Sequence, residues 1–162
     1  MQCLYLKQIG STLASIHTEE DNEAITTKNC PPNAVCIGQN AYVQTDVRFY
    51  AWEDAEDYCV QKHNGHLASI HSAEVDAAFI QSFKNSFSYL TYLGGRALEN
   101  GTLEWSDGTP YDYKNWAPYT KPAMFKKGMC AFFFISHWET AWSLLECQQD
   151  KRPKLAICEF VF

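Results

Sequence analysis

Residues 64–74 read Asn64-Gly65-His66-Leu67-Ala68-Ser69-Ile70-His71-Ser72-Ala73-Glu74, and the rest of the chain can be read outward from them. Upstream lies Ala51-Trp52-Glu53-Asp54-Ala55-Glu56-Asp57-Tyr58-Cys59-Val60, which puts Trp52, Ala55 and Cys59 on one face and its acids on the other. That is the pattern of an amphipathic helix. Downstream, Ser72 precedes an acid and then Val75, Ala78, Phe79 and Phe83, which predicts a helix over about 72–84 with Ser72 at its start. The central letters also occur once more. Residues 13–18 read Leu-Ala-Ser-Ile-His-Thr against Leu-Ala-Ser-Ile-His-Ser at 67–72, and each copy has a cysteine shortly upstream, Cys3 and Cys59. The copies are too close for two complete domains of one kind, so residues 1–27 read as a scrap of a second, truncated copy.

Beyond the second helix the periodicity changes. Short aromatic and β-branched runs predict strands at 89–93, 103–105, 131–135 and 155–160. Glu99-Asn100-Gly101 and Ser106-Asp107-Gly108-Thr109-Pro110 are turn signals. Residues 109–129, rich in Tyr, Lys and Pro, show no period and read as one long loop, the kind of segment that commonly carries function.

Composition sets the outer bounds. At 162 residues the chain is long enough for one domain with a short appendage. Its longest apolar run, 129–135, is far short of the roughly 20 residues that a membrane-spanning helix needs. The net charge of −6 excludes a globally basic nucleic-acid binder, but it is unevenly spread. Lys114, Lys121, Lys126 and Lys127 fall in a stretch that holds no acid before Glu139. A basic loop on an acidic body suggests a polar or anionic partner, or else a solvated lysine-rich loop.

Seven cysteines admit either a disulfide framework or a metal site. No paired C-x2-C knuckles occur, although His63, His66 and His71 lie near Cys59, so the spacings favour disulfides over zinc. Disulfides in turn imply an oxidising compartment, hence secretion or the outside of a membrane. The first thirteen residues have neither the basic start nor the apolar core of a signal peptide, which favours a fragment or a variant gene product. Asn100-Gly101-Thr102 is a glycosylation sequon on a predicted turn. Catalytic motifs are missing: there is no G-x-S-x-G elbow, H-E-x-x-H or phosphate loop, and Ser69 with His71 and nearby acids makes only a forced triad.

The order of motifs resembles the C-type lectin-like domain. The matching elements are Trp52 and Cys59, Gly65 to Ile70, Tyr92-Leu93-Gly94-Gly95, and Leu103-Glu104-Trp105-Ser106-Asp107-Gly108. They continue through Asn115-Trp116-Ala117-Pro118, Cys130, Trp142 to Cys147, and Ala156-Ile157-Cys158-Glu159. The resemblance implies an α+β fold of two helices packed on small antiparallel sheets, with ligand binding in a long irregular loop. It divides the chain into a truncated segment or linker, 1–29, and a domain, 30–162. It also implies the bridges Cys59–Cys158 and Cys130–Cys147. Cys30 and Cys36 could then close a local bridge, leaving Cys3 for a disulfide-linked partner.

Sugar-binding members of that family hold calcium through Glu-Pro-Asn or Gln-Pro-Asp and then Trp-Asn-Asp. The corresponding positions here are Lys121-Pro122-Ala123 and Trp142-Ser143-Leu144, with Gly128 where an acid is expected. Calcium needs 6–8 hard oxygen ligands, so no metal or other cofactor is expected. Glu139 and Glu146, or Asp107 and Asp112, are the acids left for an unorthodox site. A binding module that takes a glycan or a protein without calcium is therefore expected, with Tyr119, Lys121, Phe125, Lys126 and Lys127 as candidate ligand residues and 136–144 as a second contact. Trp105, Trp116 and Trp142 are expected in the core. The alternatives are calcium-dependent sugar binding and a degenerate product that binds nothing.

Overall fold

In a computed structural model the described residues are 30–83, 90–135, 140–148 and 151–162. The proposed copy at 1–29, Cys3 and the contact stretch 136–139 lie outside them. The elements are β1 (Val35–Ile37), β2 (Asn40–Gln44), α1 (Trp52–His63), β3 (His66–Leu67) and α2 (Ala73–Phe83). They continue with β4 (Leu90–Ala97), β5 (Leu103–Trp105), β6 (Met129–Ile135), β7 (Thr140–Glu146) and β8 (Leu155–Val161). This is the α+β fold that the motif order implied.

Both helices form where the apolar period lies. α1 buries Trp52, Ala55 and Cys59, starts with Glu53 and Asp54 and ends with Lys62 and His63, charges that suit the helix dipole. Asn64 then turns the chain in the left-handed conformation, φ 52°, and the Asn64 and Gly65 amides close back on the last turn. Gly65 is required for a second reason: a Cβ there would lie 2.0 Å from the Glu159 carbonyl oxygen. In α2 the Ser72 hydroxyl accepts from the Val75 amide at 3.4 Å, as its place in the sequence predicts.

The strands run in the order β1-β2-β8-β4-β6-β7, with β3 also on β8 and β5 also on β4. All pairings are antiparallel except β4 with β8, where Thr91 meets Leu155 and Tyr92 meets Ala156. The sheet is therefore mixed rather than purely antiparallel. The main core lies under the long loop, with Trp105 and Trp142 in edge contact at 5.8 Å amid Phe79, Phe133, Leu93 and Ile157.

Three disulfides are formed among the described residues. Cys59–Cys158 ties α1 to β8, Cys130–Cys147 joins β6 to the end of β7, and Cys30–Cys36 closes a local turn. In the chain-entropy account the first closes a loop worth about 4.7 kcal/mol and the second about 3 kcal/mol.

Candidate functional site in and beside the long loop

The long loop is anchored along its first half. Asp76 is 3% exposed on α2, and its carboxylate accepts from Trp142 Nε1 at 2.9 Å, Asn115 Nδ2 at 2.5 Å and Tyr113 Oη at 3.5 Å. Burial lifts this carboxyl above its ordinary value, and the three donors offset part of that rise. Trp116 and Trp142 form a parallel bridge, in which Ala117 N–H donates to the Trp142 carbonyl and Trp142 N–H to the Asn115 carbonyl, both at 2.8 Å. Trp105 and Trp142 are core residues, while Trp116 is half-buried and donates through Nε1 to Tyr111 Oη.

The five candidate ligand residues do not form one group. Tyr119 is 48% exposed and meets Phe134 edge-on. Lys121 is exposed at the start of a 3-10 turn, Pro122–Met124. Phe125 is not a free aromatic: it packs against Trp116 at 5.1 Å and is half-buried. Lys126 and Lys127 stand apart from these on the rim of a cleft of about 640 Å³.

That cleft is built where the loop ends. Its walls are Glu53 of α1, Arg96 and Glu104 from the β4–β5 pair, and Glu146 at the end of β7. Arg96 pairs with Glu104 at 3.0 Å and lies 5.2 Å from the Trp52 ring centre. Lys127 reaches Glu99 at 3.4 Å, whereas Lys126 makes no ion pair among the described residues. Glu53 Oε2 is buried without a hydrogen-bond partner. The walls therefore hold both donors and acceptors, which suits a polyhydroxyl or anionic ligand. Asn100 is exposed at the β4–β5 turn, where its Oδ1 accepts from the amide and hydroxyl of Thr102.

The positions aligned with calcium ligands hold none. Ser143 and Leu144 are 2% and 1% exposed within β7, and the Ser143 hydroxyl accepts from Thr120. Among the described residues, no three His, Cys, Asp or Glu side chains converge as a metal group.

A second polar cluster is built from a separate set of residues around Ser69. Ser69 Oγ is 2.6 Å from Asp107 Oδ2, 2.9 Å from Glu159 Oε2 and 3.1 Å from His71 Nε2, and His71 Nδ1 is 2.7 Å from Asp112 Oδ1. The Asp112–His71–Ser69 relay has a hydrolase outline, but Ser69 is 1% exposed and hemmed in by two carboxylates. A nucleophile so enclosed cannot reach a substrate.

A family model described as the lectin C-type domain matches residues 49–160. The chain belongs to the C-type lectin domain family. A type-2 ice-structuring protein of Brachyopsis segaliensis is 34% identical over 119 residues, covering 73% of this chain and 66% of that protein. A lectin of Pleurodeles waltl is 33% identical over 93 residues, covering 55% of this chain and 54% of that one. Among solved structures, a calcium-independent type II antifreeze protein superposes with a TM-score of 0.66 at 29% identity, covering 82% of this chain and 95% of that one. Family membership makes this a binding domain rather than an enzyme. Of the site's parts, sequence reasoning singled out the lysines and set Ser69 beside His71, but missed Asp76, Arg96 and the contacts of Ser69 with Asp107 and Glu159. Asp76 stands three and seven residues before Phe79 and Phe83, on the apolar face, and that spacing was the available signal.

Proposed function

We propose that this C-type lectin domain is an extracellular recognition module that binds a glycan or protein ligand without calcium, through the end of its long loop. The observation that carries this reading is the cleft beside Lys126 and Lys127, whose walls hold both donors and acceptors and where one buried carboxylate oxygen of Glu53 lacks a partner. A neutral sugar offers hydroxyls that both donate and accept, and an acidic sugar adds a charge for Lys126. The three disulfides support an oxidising compartment. A glycan array probed with the full chain, once in chelator and once in calcium, tests the proposal. Equal binding in both arms, abolished by Lys126→Ala with Arg96→Ala, is the expected result. Binding only in calcium, or binding indifferent to those substitutions, overturns it.

The ice-structuring relatives favour a second reading, in which the domain binds ice instead of a dissolved ligand. Measuring ice-crystal growth with the same protein distinguishes the two. An empty array combined with faceted, arrested crystals decides for ice.

A further inference from the structure

We propose that the cluster around Ser69 is a proton store: the folded domain holds two protons there beyond those its side chains carry in neutral water, and gives them up as pH rises. Four close contacts define it, Asp112–His71, His71–Ser69, Ser69–Asp107 and Ser69–Glu159, at 2.7, 3.1, 2.6 and 2.9 Å. Each needs one hydrogen between its two heavy atoms. With the acids ionised and the imidazole neutral, the ring supplies one hydrogen and the hydroxyl another. Two contacts are left with lone pair facing lone pair, however the tautomer and hydroxyl are turned. Two added protons complete the set. The hydroxyl then donates once and accepts twice, which is its full capacity.

The surroundings supply no substitute. The cleft at this cluster, about 490 Å³, is lined by Asn40, Asn64, His66, His71, Asp107 and Glu159 among others, with no lysine or arginine. The remaining titratable neighbours are Tyr42 on β2, which donates to Glu159 Oε1 at 3.0 Å, and His66 on β3, which is 2.5 Å from Glu56 of α1. Neither brings a fixed cation to the Ser69 hydroxyl. Burial raises the Glu159 carboxyl, against the pull of the Ser69 amide and hydroxyl and of Tyr42. Its hydrogen bond to His71 holds Asp112 low. The Glu159 direction agrees with a proton held on the carboxyl side of the cluster.

The consequence reaches the long loop. Asp107 lies in the turn after β5 and Asp112 in the first stretch of the loop, so these contacts tie residues 107–112 to β8 and to residues 69–71. A folded state that binds more protons than the unfolded chain loses stability as pH rises. The folding equilibrium constant falls about tenfold per pH unit for each proton being released, and about a hundredfold while both leave.

Urea unfolding of the full chain across pH 5 to 9 tests this through differences between variants. Asp107→Asn puts an amide N–H where a proton is needed, and its oxygen can still accept from the Thr109 amide and hydroxyl, which Asp107 Oδ1 does at 2.9 and 2.6 Å. The expected result is a pH dependence shallower than that of the parent by one proton. Ser69→Ala leaves only the Asp112–His71 contact, which a neutral ring serves, and is expected to remove two. If that variant fails to fold, Asp107→Asn still decides. Identical slopes in parent and Asp107→Asn overturn the proposal. So does a midpoint at pH 8 that millimolar calcium raises, because a cation would then hold the acids instead.

Discussion

The two halves of the long loop differ in composition, aromatic-rich before residue 121 and lysine-rich after it, and they lie in opposite environments. From 109 to 120 the chain is pinned: Tyr113 and Asn115 donate to a buried carboxylate, and Trp116 and Ala117 pair with Trp142. From 121 to 129 it turns once at Pro122–Met124 and exposes three lysines. The difference lies in what each half meets. The first half faces Asp76 and the β7 backbone, which absorb its donors, while the second faces a polar cleft that leaves Lys126 free to pair with something else. Within one irregular segment, one half serves the fold and the other carries the lysines of the proposed ligand site.

The largest test of this contrast is reduction. If both halves depend on a closed frame, breaking Cys59–Cys158 and Cys130–Cys147 removes about 2–5 kcal/mol each and unfolds the domain at moderate temperature. A thermal melt unchanged by reductant would mean that the frame does not hold either half. Next in size is Asp76→Ala, which strands Trp142 Nε1 inside the core and releases Asn115 and Tyr113. A loss of about 2–4 kcal/mol in urea unfolding is expected, with the pinned half losing protection in hydrogen exchange and 121–129 unchanged. The pH sign follows from burial. Asp76 contributes most below the ordinary carboxylate range and less as pH rises through its lifted value, and the variant should lose that dependence.

Smaller still is the effect of Lys126→Ala with Lys127→Ala. Both side chains are exposed, so stability should stay within about 0.5 kcal/mol while ligand binding falls. A large loss of stability would show that the second half is as structural as the first. Calcium should do nothing to either half. A functional site at a hundredfold saturation would add about 2.7 kcal/mol, and calorimetry with millimolar calcium against a chelated control should show no saturable heat.

What could be read from the sequence was whatever is local. α1 and α2 repeat apolar residues at helical spacing, and Ser72 marks its own helix. β1 and β2 gave no such signal. Val35-Cys36-Ile37 and Asn40 to Gln44 are short, and β2 is a strand because Asn40 meets Val161 and Gln44 meets Ile157 at the far end of the chain. Asp76 was legible by spacing, yet an acid in a helix's first turn also reads as a partner for the dipole, and only the donors from the loop settle its role. Phe125 looked free because nothing nearby in sequence covers it; Trp116 does so across the loop. The Ser69 cluster needed 90 residues of separation to close, from Ser69 to Glu159.

The register of β2 on β8 also decides how the domain bears load. A pull at residue 30 passes through β1, and once β1 has left β2 it enters the β2–β8 pair at Asn40, beside Val161, the same end at which a pull at residue 162 enters. The ladder then opens one rung at a time from Asn40 toward Gln44, a soft geometry that yields early. Slack comes only from the stretch before Cys59 and the few residues after Cys158. The crosslink between these two then goes taut, and beyond Cys59 the tension passes through sulfur rather than through α2, Trp105, Trp142 or the loop. Strung between neighbours in a longer chain, the domain would stretch as far as the residues before Cys59 allow and then stop, with α2, the strands between the two cysteines and the long loop still held.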